Sequence, residues 1–547
     1  MWWLTEMIAM FRAKILNCYL KFDSEVVLRR KFSLMFILSI LFLLLVLKFA
    51  ISDYGPGFDD PGGDSALVIN GAENIKNGNG YVYDSLWFFD KSDGQLRTDI
   101  VKPGYITSPM TSILLAGIFL FHETIFAAVM FQIFIFCVLV LIYYSLTEEI
   151  FNRRIAFWSS LIIIFNPVLF GELGAPPRTH VTGLLAMLLF FIIMIKMKKN
   201  TNVYYYLGII SGVAYLTRDI YLLLALGSFS ILFLERKYKS AGQFLSSFCI
   251  VALPWWLRNY YYYETFFPRS STLWFYYKPE RTDYVYGSLF DRFSTSVKNV
   301  HEMFYDFPSP DLFYIILPFC LMGIILEFKN RQFRHFFAFV FLYLGLLVMV
   351  PFLSGDAGYQ KIYFLPIYLL ILPLGIKTFQ DTVNSLFPKR HKHLVFLFFF
   401  LIIIFSSFTI MIKTELGTVH RSYVIDPAED YVWAKENMEA DSNVAVSGTL
   451  PHRLYYFTGH NSVTLPVNID QQDIGVFLID YEIDYLYINH KDSSIFREYD
   501  EEASVIYSDL YKGEVLVYEG LTLEPVNIQF SEYDGSKIII YAVYIGD

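Results

Sequence analysis

Uncharged apolar stretches long enough to cross a bilayer recur along this chain from Phe32 to Ile412, and basic residues collect in every second connection between them. About 20 apolar residues span the roughly 30 Å of hydrocarbon, and Lys and Arg stay on the cytoplasmic side. Such a chain must satisfy its backbone polar groups internally, so helices are the natural solution for this part. The 547 residues are 55% hydrophobic and 17% charged, where soluble domains have roughly 45–50% and 25%. Disordered, collagenous and disulfide-rich classes are excluded. The four cysteines, Cys18, Cys137, Cys249 and Cys320, lie mostly in apolar runs and form no zinc or disulfide pattern.

Charge divides the chain. Residues 412–547 carry 24 acidic and 8 basic side chains, whereas residues 1–411 carry 28 and 35, so the two parts stand at −16 and +7. A basic apolar part of 1–411 joined to an acidic part of ordinary composition predicts a membrane domain followed by a water-soluble one. The first apolar run, Phe32 to about Ile51, follows Arg29, Arg30 and Lys31 without a small-residue cleavage site and should remain as an anchor.

With the N-terminus cytoplasmic, residues 52–123 form a first outer loop, and Ile106–Phe121, short and broken by Pro109, is expected to lie in the outer interface. The next crossings are Thr124–Leu146, Ile155–Gly171 and Thr179–Ile195. Val203–Leu234 is 32 residues, about 48 Å as a helix. That is too long for one crossing, so Thr217-Arg218-Asp219 is expected to mark an outer turn between two short helices. Ala241–Trp256 leads to a second long outer loop, 258–310, rich in Tyr and Trp as an interfacial belt is. Leu312–Leu326, Phe336–Leu353, Ile362–Ile376 and Leu394–Ile412 complete about eleven crossings and leave 412–547 outside. In that last part, Pro427–Glu439 predicts an amphipathic helix, and Ser442–Ser447, Tyr485–Asn489, Ser504–Tyr507 and Glu514–Tyr518 predict strands of a small α/β or α+β domain.

Ionisable residues beside apolar segments are costly and so carry functional weight. Asp64 follows Gly62-Gly63 and precedes the helical stretch Ser65–Ile75. It is either an N-cap or a carboxylate placed to take a proton from an acceptor hydroxyl. Lys102, before Pro103, either snorkels to headgroups or meets a lipid phosphate. Arg178 and His180 stand at the mouth of a helix. Arg218 either pairs with Asp219 or faces the same outer side, and Arg258, after Pro254-Trp255-Trp256, is a headgroup anchor or a bidentate phosphate ligand. One outer carboxylate and several outer cations are the parts needed to activate an incoming hydroxyl and stabilise a departing lipid phosphate.

The string Gly63-Asp64-Ser65, followed by Ala72-Glu73-Asn74-Ile75-Lys76-Asn77-Gly78-Asn79-Gly80-Tyr81, resembles the first outer loop of the GT-C superfamily of integral-membrane glycosyltransferases, notably its protein-mannosyltransferase-like and aminoarabinose-transferase-like branches. Lys102-Pro103-Gly104-Tyr105, Leu216-Thr217-Arg218, Pro254 to Tyr260 and Gly358 to Pro366 are similar to further strings of that superfamily, in the right order. The segments AEDYVWAKENMEADSNVAVSG and LYYFTGHNSVTLP are similar to its outer C-terminal domain. The resemblance implies that Asp64 is the catalytic carboxylate and that Lys102, Arg218 and Arg258 surround the donor phosphate. The sequence departs at Arg178-Thr179-His180, where relatives often carry an acid, and at Gly358-Tyr359-Gln360-Lys361, where they often carry Arg before Tyr. Lys361 replaces that Arg as a point charge only. No cofactor is expected, although Asp59, Asp60 and Asp64 could hold a divalent metal.

The expected activity is transfer of one sugar from a polyprenyl-phosphate donor to a lipid, glycan or protein acceptor on the extracytoplasmic face of the cell membrane, with inversion. Membrane lipids are its surroundings, and nucleic acid is not a partner. The rival classes are a transporter or flippase of a lipid-linked glycan, which would show broken midplane helices and inverted repeats, and a sensor whose acidic tail binds a partner.

Overall fold

The computed structural model describes residues 34–41 in part, 63–86, 91–92, 95–96, 102–103, 108–169, 179–197, 202–263, 266, 310–330, 333–354, 364–419, 429–447, 454–455, 458–465, 471–489, 509–518, 521–530 and 537–545. Most of the described chain up to residue 419 is helical. Among the described residues, four helical segments suit a membrane crossing by length and composition: Phe126–Ile150, Thr179–Lys196, Tyr238–Tyr262 and His391–Ile410. Five shorter apolar helices accompany them.

The segment expected to form the first outer loop contains α1 (Gly63–Lys76) and α2 (Met110–Phe119). Then come α3 (Ile125–Ile150), started by the Thr124 hydroxyl, which accepts from Ala127 N at 3.2 Å, and α4 (Arg153–Ile164), started by Asn152 in the same way. The apolar run of α4 was expected to continue to Gly171. It stops at Ile164 because Asn166 turns its carboxamide oxygen onto the backbone N–H groups of Val168 and Leu169, 3.0 and 3.1 Å away, and so caps a new turn.

The expected two-helix reading of Val203–Leu234 is borne out: α6 (Val203–Thr217) and α7 (Leu222–Leu234) are separated by an extended Arg218 (φ −157°, ψ 133°) and one 3₁₀ turn. They follow α5 (Thr179–Lys196) and precede α8 (Tyr238–Tyr263). Gly208 faces Phe244 and Ser247 of α8, and Gly212 faces Phe248 and Val251, so α6 and α8 run in the same direction. A Cβ on Gly208 would lie 2.0 Å from Ser247 Oγ and 2.2 Å from the Phe244 carbonyl oxygen. Only glycine admits that approach, the small-residue packing by which membrane helices associate.

The remaining helices are α9 (Pro310–Glu327), α10 (Arg334–Ser354), α11 (Leu365–Leu386) and α12 (Lys389–Val419). The run expected to end at Ile376 extends ten residues further as α11, and α12 passes the expected boundary at 412 by seven residues.

Beyond α12, α13 (Glu429–Asn437) and α14 (Gln471–Asp480) cover a mixed sheet. Its strands are β6 (Asn443–Val446), β7 (Asn461–Thr464), β8 (Tyr485–Asn489), β9 (Leu516–Tyr518), β10 (Leu521–Phe530) and β11 (Lys537–Ile545). Both faces are buried. Val444, Val446, Ile538 and Ile540 pack under α13 with Ala434 and Met438, while Ala445, Leu486, Ile539 and Tyr541 face Phe477 and Leu478 of α14.

The seventh strand comes from elsewhere. Between α1 and α2, β1 (Val82–Tyr83) pairs with β5 (Lys102–Pro103), and β3 (Lys91–Ser92) pairs with β4 (Gln95–Leu96). However, β2 (Ser85–Leu86) joins the distant sheet in parallel, Ser85 opposite Ser462 and Leu86 opposite Val463. The full order is β2-β7-β6-β8-β11-β10-β9. The first loop and the C-terminal sheet are therefore one assembly on one side of the bundle.

Candidate active site

Helix α1 buries an apolar face of Leu67, Val68, Ile69 and Ala72, yet Asn70 and Asn74 are also buried. Spaced by four residues, the two asparagines lie one turn apart on one side of the helix. Both donate to one oxygen of Asp84, at 2.7 and 2.6 Å, and Asp84 N donates back to the Asn70 carboxamide oxygen at 2.9 Å. Tyr455, from the C-terminal part, lies beside the same group, next to Asp84 and Asn70. Burial, then the Asp84 charge, holds the Tyr455 phenol well above its usual range. Glu73, on the adjacent face, is pushed up to about 7, chiefly by burial and then by the charges of Glu123 and Asp84; Lys76 opposes that and pairs with Glu123.

The chain leaves α1 through Asn77–Gly80, where Gly78 (φ 84°) and Gly80 (φ 82°) take the left-handed conformation that side chains resist. This turn folds Tyr81 back over α1. Its ring lies so close to Gly71 that a Cβ there would be 2.7 Å from Tyr81 Cε2. The Tyr81 hydroxyl shares a 2.7 Å hydrogen bond with the Tyr83 hydroxyl, and the ring meets Trp255 edge-on.

Arg258, in the last two turns of α8, reaches this turn. Its Nη2 donates to the Tyr81 carbonyl at 2.7 Å and its Nη1 to Asn259 Oδ1 at 3.0 Å. The guanidinium lies 4.6, 5.4 and 5.7 Å from the ring centres of Trp255, Tyr262 and Tyr81. Such a cage holds a planar cation by stacking, with the backbone carbonyl fixing its orientation.

Arg218 ends α6 at the same end of the bundle, because α6 and α8 run parallel and Trp256 Nε1 donates to the Tyr215 hydroxyl one turn before Arg218, at 2.8 Å. The Arg218 guanidinium is set against the ring of His180, in the first turn of α5. His180 is thus a partner of Arg218. Gly183, one turn along α5, leaves room for Tyr221, which approaches its Cα so closely that a Cβ would be 2.4 Å from Tyr221 Cε2. A cavity of about 10 Å³, the room of one water, remains between His180, Arg218, Tyr221, Tyr343 and Pro366. Beside Arg218, Asp219 accepts from Ser108 at 2.9 Å, which fastens the start of α2 to the α6–α7 turn, while Ser112 of α2 donates to the Val68 carbonyl of α1 at 3.0 Å.

Asp64 is the second residue of α1, so it stands inside the first turn and not in the N-cap position. It lies two turns, about 10 Å along the axis, before the Gly71–Tyr81 contact. Lys102 is in β5 opposite Tyr83. Arg178, Lys361, Asp59 and Asp60 lie outside the described residues, as does the predicted strand Ser504–Tyr507. Among the described residues no group of three or more His, Cys, Asp or Glu is arranged to hold a metal. The sequence reading overlooked Asn70, Asp84 and Tyr455 and assigned no role to Asn74. The spacing of two asparagines four apart in an apolar helix was the available signal.

Residues 104–257 match the family model of dolichyl-phosphate-mannose-protein mannosyltransferases. No curated protein matches the sequence. Among solved structures, the oligosaccharyltransferase of Archaeoglobus fulgidus in its apo form superposes with a TM-score of 0.58 at 10% identity, over 84% of this chain and 69% of that one. The same archaeal enzyme, AglB, with an inhibitory peptide and a dolichol-phosphate gives 0.55 at 12% identity, over 83% and 69%. ArnT from Cupriavidus metallidurans bound to undecaprenyl phosphate gives 0.54 at 12% identity, over 93% of this chain and 97% of that one. Joined to the family match across α2 to α8, these likenesses bear out the resemblance read from the motifs: this is a helical membrane protein with the fold of the GT-C glycosyltransferases.

Proposed function

We propose that this chain transfers a single sugar from a polyprenyl-phosphate-linked donor to an acceptor on the extracytoplasmic face, with inversion at the anomeric carbon. The observation that carries the reading is the tie between two helices: α1, which bears Asp64, ends in a turn whose Tyr81 is gripped by Arg258 of α8. ArnT, similar in fold over nearly its whole length, binds undecaprenyl phosphate, which supports a lipid phosphate as the donor's leaving group.

In this mechanism the acceptor hydroxyl oxygen attacks the anomeric carbon and its proton passes to the Asp64 carboxylate. The bond from that carbon to the phosphate oxygen breaks, and the lipid phosphate departs with the electron pair. Lys102, Arg218 and Arg258, with Arg178 and Lys361, compensate the charge that develops there. No step passes through a metal. The donor's hydrocarbon tail stays in the bilayer, so no soluble nucleotide site is required. Eleven crossings, a cytoplasmic N-terminus and an extracytoplasmic C-terminal part from residue 412 complete the reading.

Mass spectrometry of surface glycolipids and glycoproteins tests it. Cells lacking the protein should lose a single-hexose or single-pentose increment, and Asp64→Asn should lose it too, with transfer down by roughly 10²-fold or more. A full increment in the Asp64→Asn cells removes Asp64 as the base. Arg258→Lys keeps the charge but not the fork or the stacking. It should lower transfer at limiting donor by about tenfold, and unchanged donor dependence counts against a phosphate role.

A further inference from the structure

A second cavity, of about 690 Å³, lies at the opposite end of the same helices. It opens between the end of α5 (Phe190, Met194), the start of α6 (Val203, Leu207) and the start of α8 (Phe244). Along α6, Tyr204 of this cavity is fourteen residues from Arg218, about 20 Å, so the two sites are separate. The volume falls in the range of ligand pockets, roughly 300–1,000 Å³.

Its walls are apolar and its mouth is charged. Lys237 and Arg334 both donate to Glu235, at 2.6 and 2.8 Å. The hydrogen bond from Lys237, with help from Arg334, holds the Glu235 carboxyl below the usual carboxylate range, so the trio carries a net positive charge at neutral pH. The side chains of Lys237 and Arg334 are 50% and 43% exposed, which leaves donors turned outward. His335 also lines the cavity, and its Nδ1 is buried without a hydrogen-bond partner. Two of the three, Glu235 and Lys237, are delivered by an unusual turn, and Arg334 by the start of α10. Arg236 adopts a left-handed φ of 58°, and Lys237 N closes back to the Leu232 carbonyl at 2.9 Å, a helix end where glycine is the ordinary residue.

We infer that this cavity binds the phosphate headgroup of an anionic membrane lipid, with its acyl chains against the apolar wall. Phosphate oxygens accept from Lys237, Arg334 and the His335 ring, and a net positive mouth between membrane helices suits an anionic head. A soluble phosphate ester has the same charge but no use for the walls of Phe190, Leu207 and Phe244. The inference needs the helical bundle alone and does not depend on the transfer reaction.

The test is native mass spectrometry of the full chain released from bilayers of phosphatidylcholine containing phosphatidylglycerol. The wild type should retain phosphatidylglycerol over phosphatidylcholine by about tenfold. The variant Glu235→Gln with Lys237→Gln and Arg334→Gln, which strands no carboxylate, should lose that preference while its melting temperature in pure phosphatidylcholine stays near that of the wild type. Equal preference in both proteins overturns the site. Should the triple variant not fold, the wild type decides alone, because absence of any preference overturns the inference as well. Glycerol 3-phosphate raising the melting temperature as much as phosphatidylglycerol does would assign the pocket to a free ester and overturn the lipid.

Discussion

The α6–α8 pair and the junction between the α1–α2 segment and the C-terminal sheet are fastened in opposite ways. The first is a close seam of glycine against serine, valine and backbone, with one Trp–Tyr hydrogen bond at its end. The second is a two-residue strand and a buried cluster of two asparagines, one aspartate and one tyrosine. Packing of the first kind has no partial state, because interiors this dense do not deform gradually. Hydrogen bonds of the second kind contribute about 1 kcal/mol each and answer to pH and to the loss of one partner. The two arginines stand on the stiff seam. The carboxylate-bearing helix is held by that seam at Tyr81 and by the polar junction along its side.

Substitution at the seam should have the largest effect. Gly208→Leu places a branched side chain where even a Cβ has no room, so the expected outcome is loss of folded, monodisperse protein on size-exclusion chromatography. A monodisperse Gly208→Leu protein would show that α6 and α8 separate without cost and would end the contrast.

Asp84→Ala comes next. It removes the acceptor of both asparagines and the charge beside Tyr455, at a cost of about 2–3 kcal/mol. Faster hydrogen exchange should appear in residues 443–446 and 461–464, with the α6–α8 helices unchanged. Exchange rising in both places alike would mean the two regions are one cooperative unit.

The smallest effect expected is at Glu73. Its folded pKa is about 7 against an ordinary 4.5, so the folded state holds a proton that the unfolded chain releases. Stability should be greatest below the ordinary value, fall as pH rises from about 4.5 to 7, and level off above that. Glu73→Gln should flatten this slope and be more stable than wild type at pH 8 by up to about 2 kcal/mol, read from melting temperature against pH. A wild-type melting temperature that does not change between pH 5 and 8 would place Glu73 in contact with water.

What the sequence made readable follows the range of the interactions. Basic residues at Lys196, Arg236 and Arg334 mark one end of the bundle, and the charged pair at Arg218-Asp219 marks the α6–α7 break. Tyr485–Asn489 is predicted to the residue, because β-branched and aromatic residues cluster there between turns. The predicted stop at Gly171 overlooked Asn166-Pro167, a local turn signal within an apolar run. The helix α14 and strands β7, β10 and β11 were not predicted. The run IIIYA of β11 is buried on both faces and so lacks alternation. For β2 there was no local signal: two residues join a strand some 375 positions later, and only the folded chain brings them together. The candidate site divides in the same way. Asp64, Arg218 and Arg258 were legible as charges out of place, whereas the Asn70–Asp84–Tyr455 cluster and the His180–Arg218 contact depend on distant partners.

The borrowed strand β2 also fixes an order of events during synthesis. The ribosome delivers Ser85 and Leu86 long before Ser462 and Val463, so the segment must wait through the making of nearly all the intervening helices before its partner exists. A nascent chain arrested after α12 would hold the seam but leave Asn70, Asn74 and Asp84 without Tyr455. Maturation of the carboxylate-bearing helix then waits for the residues that follow α12 to be translated.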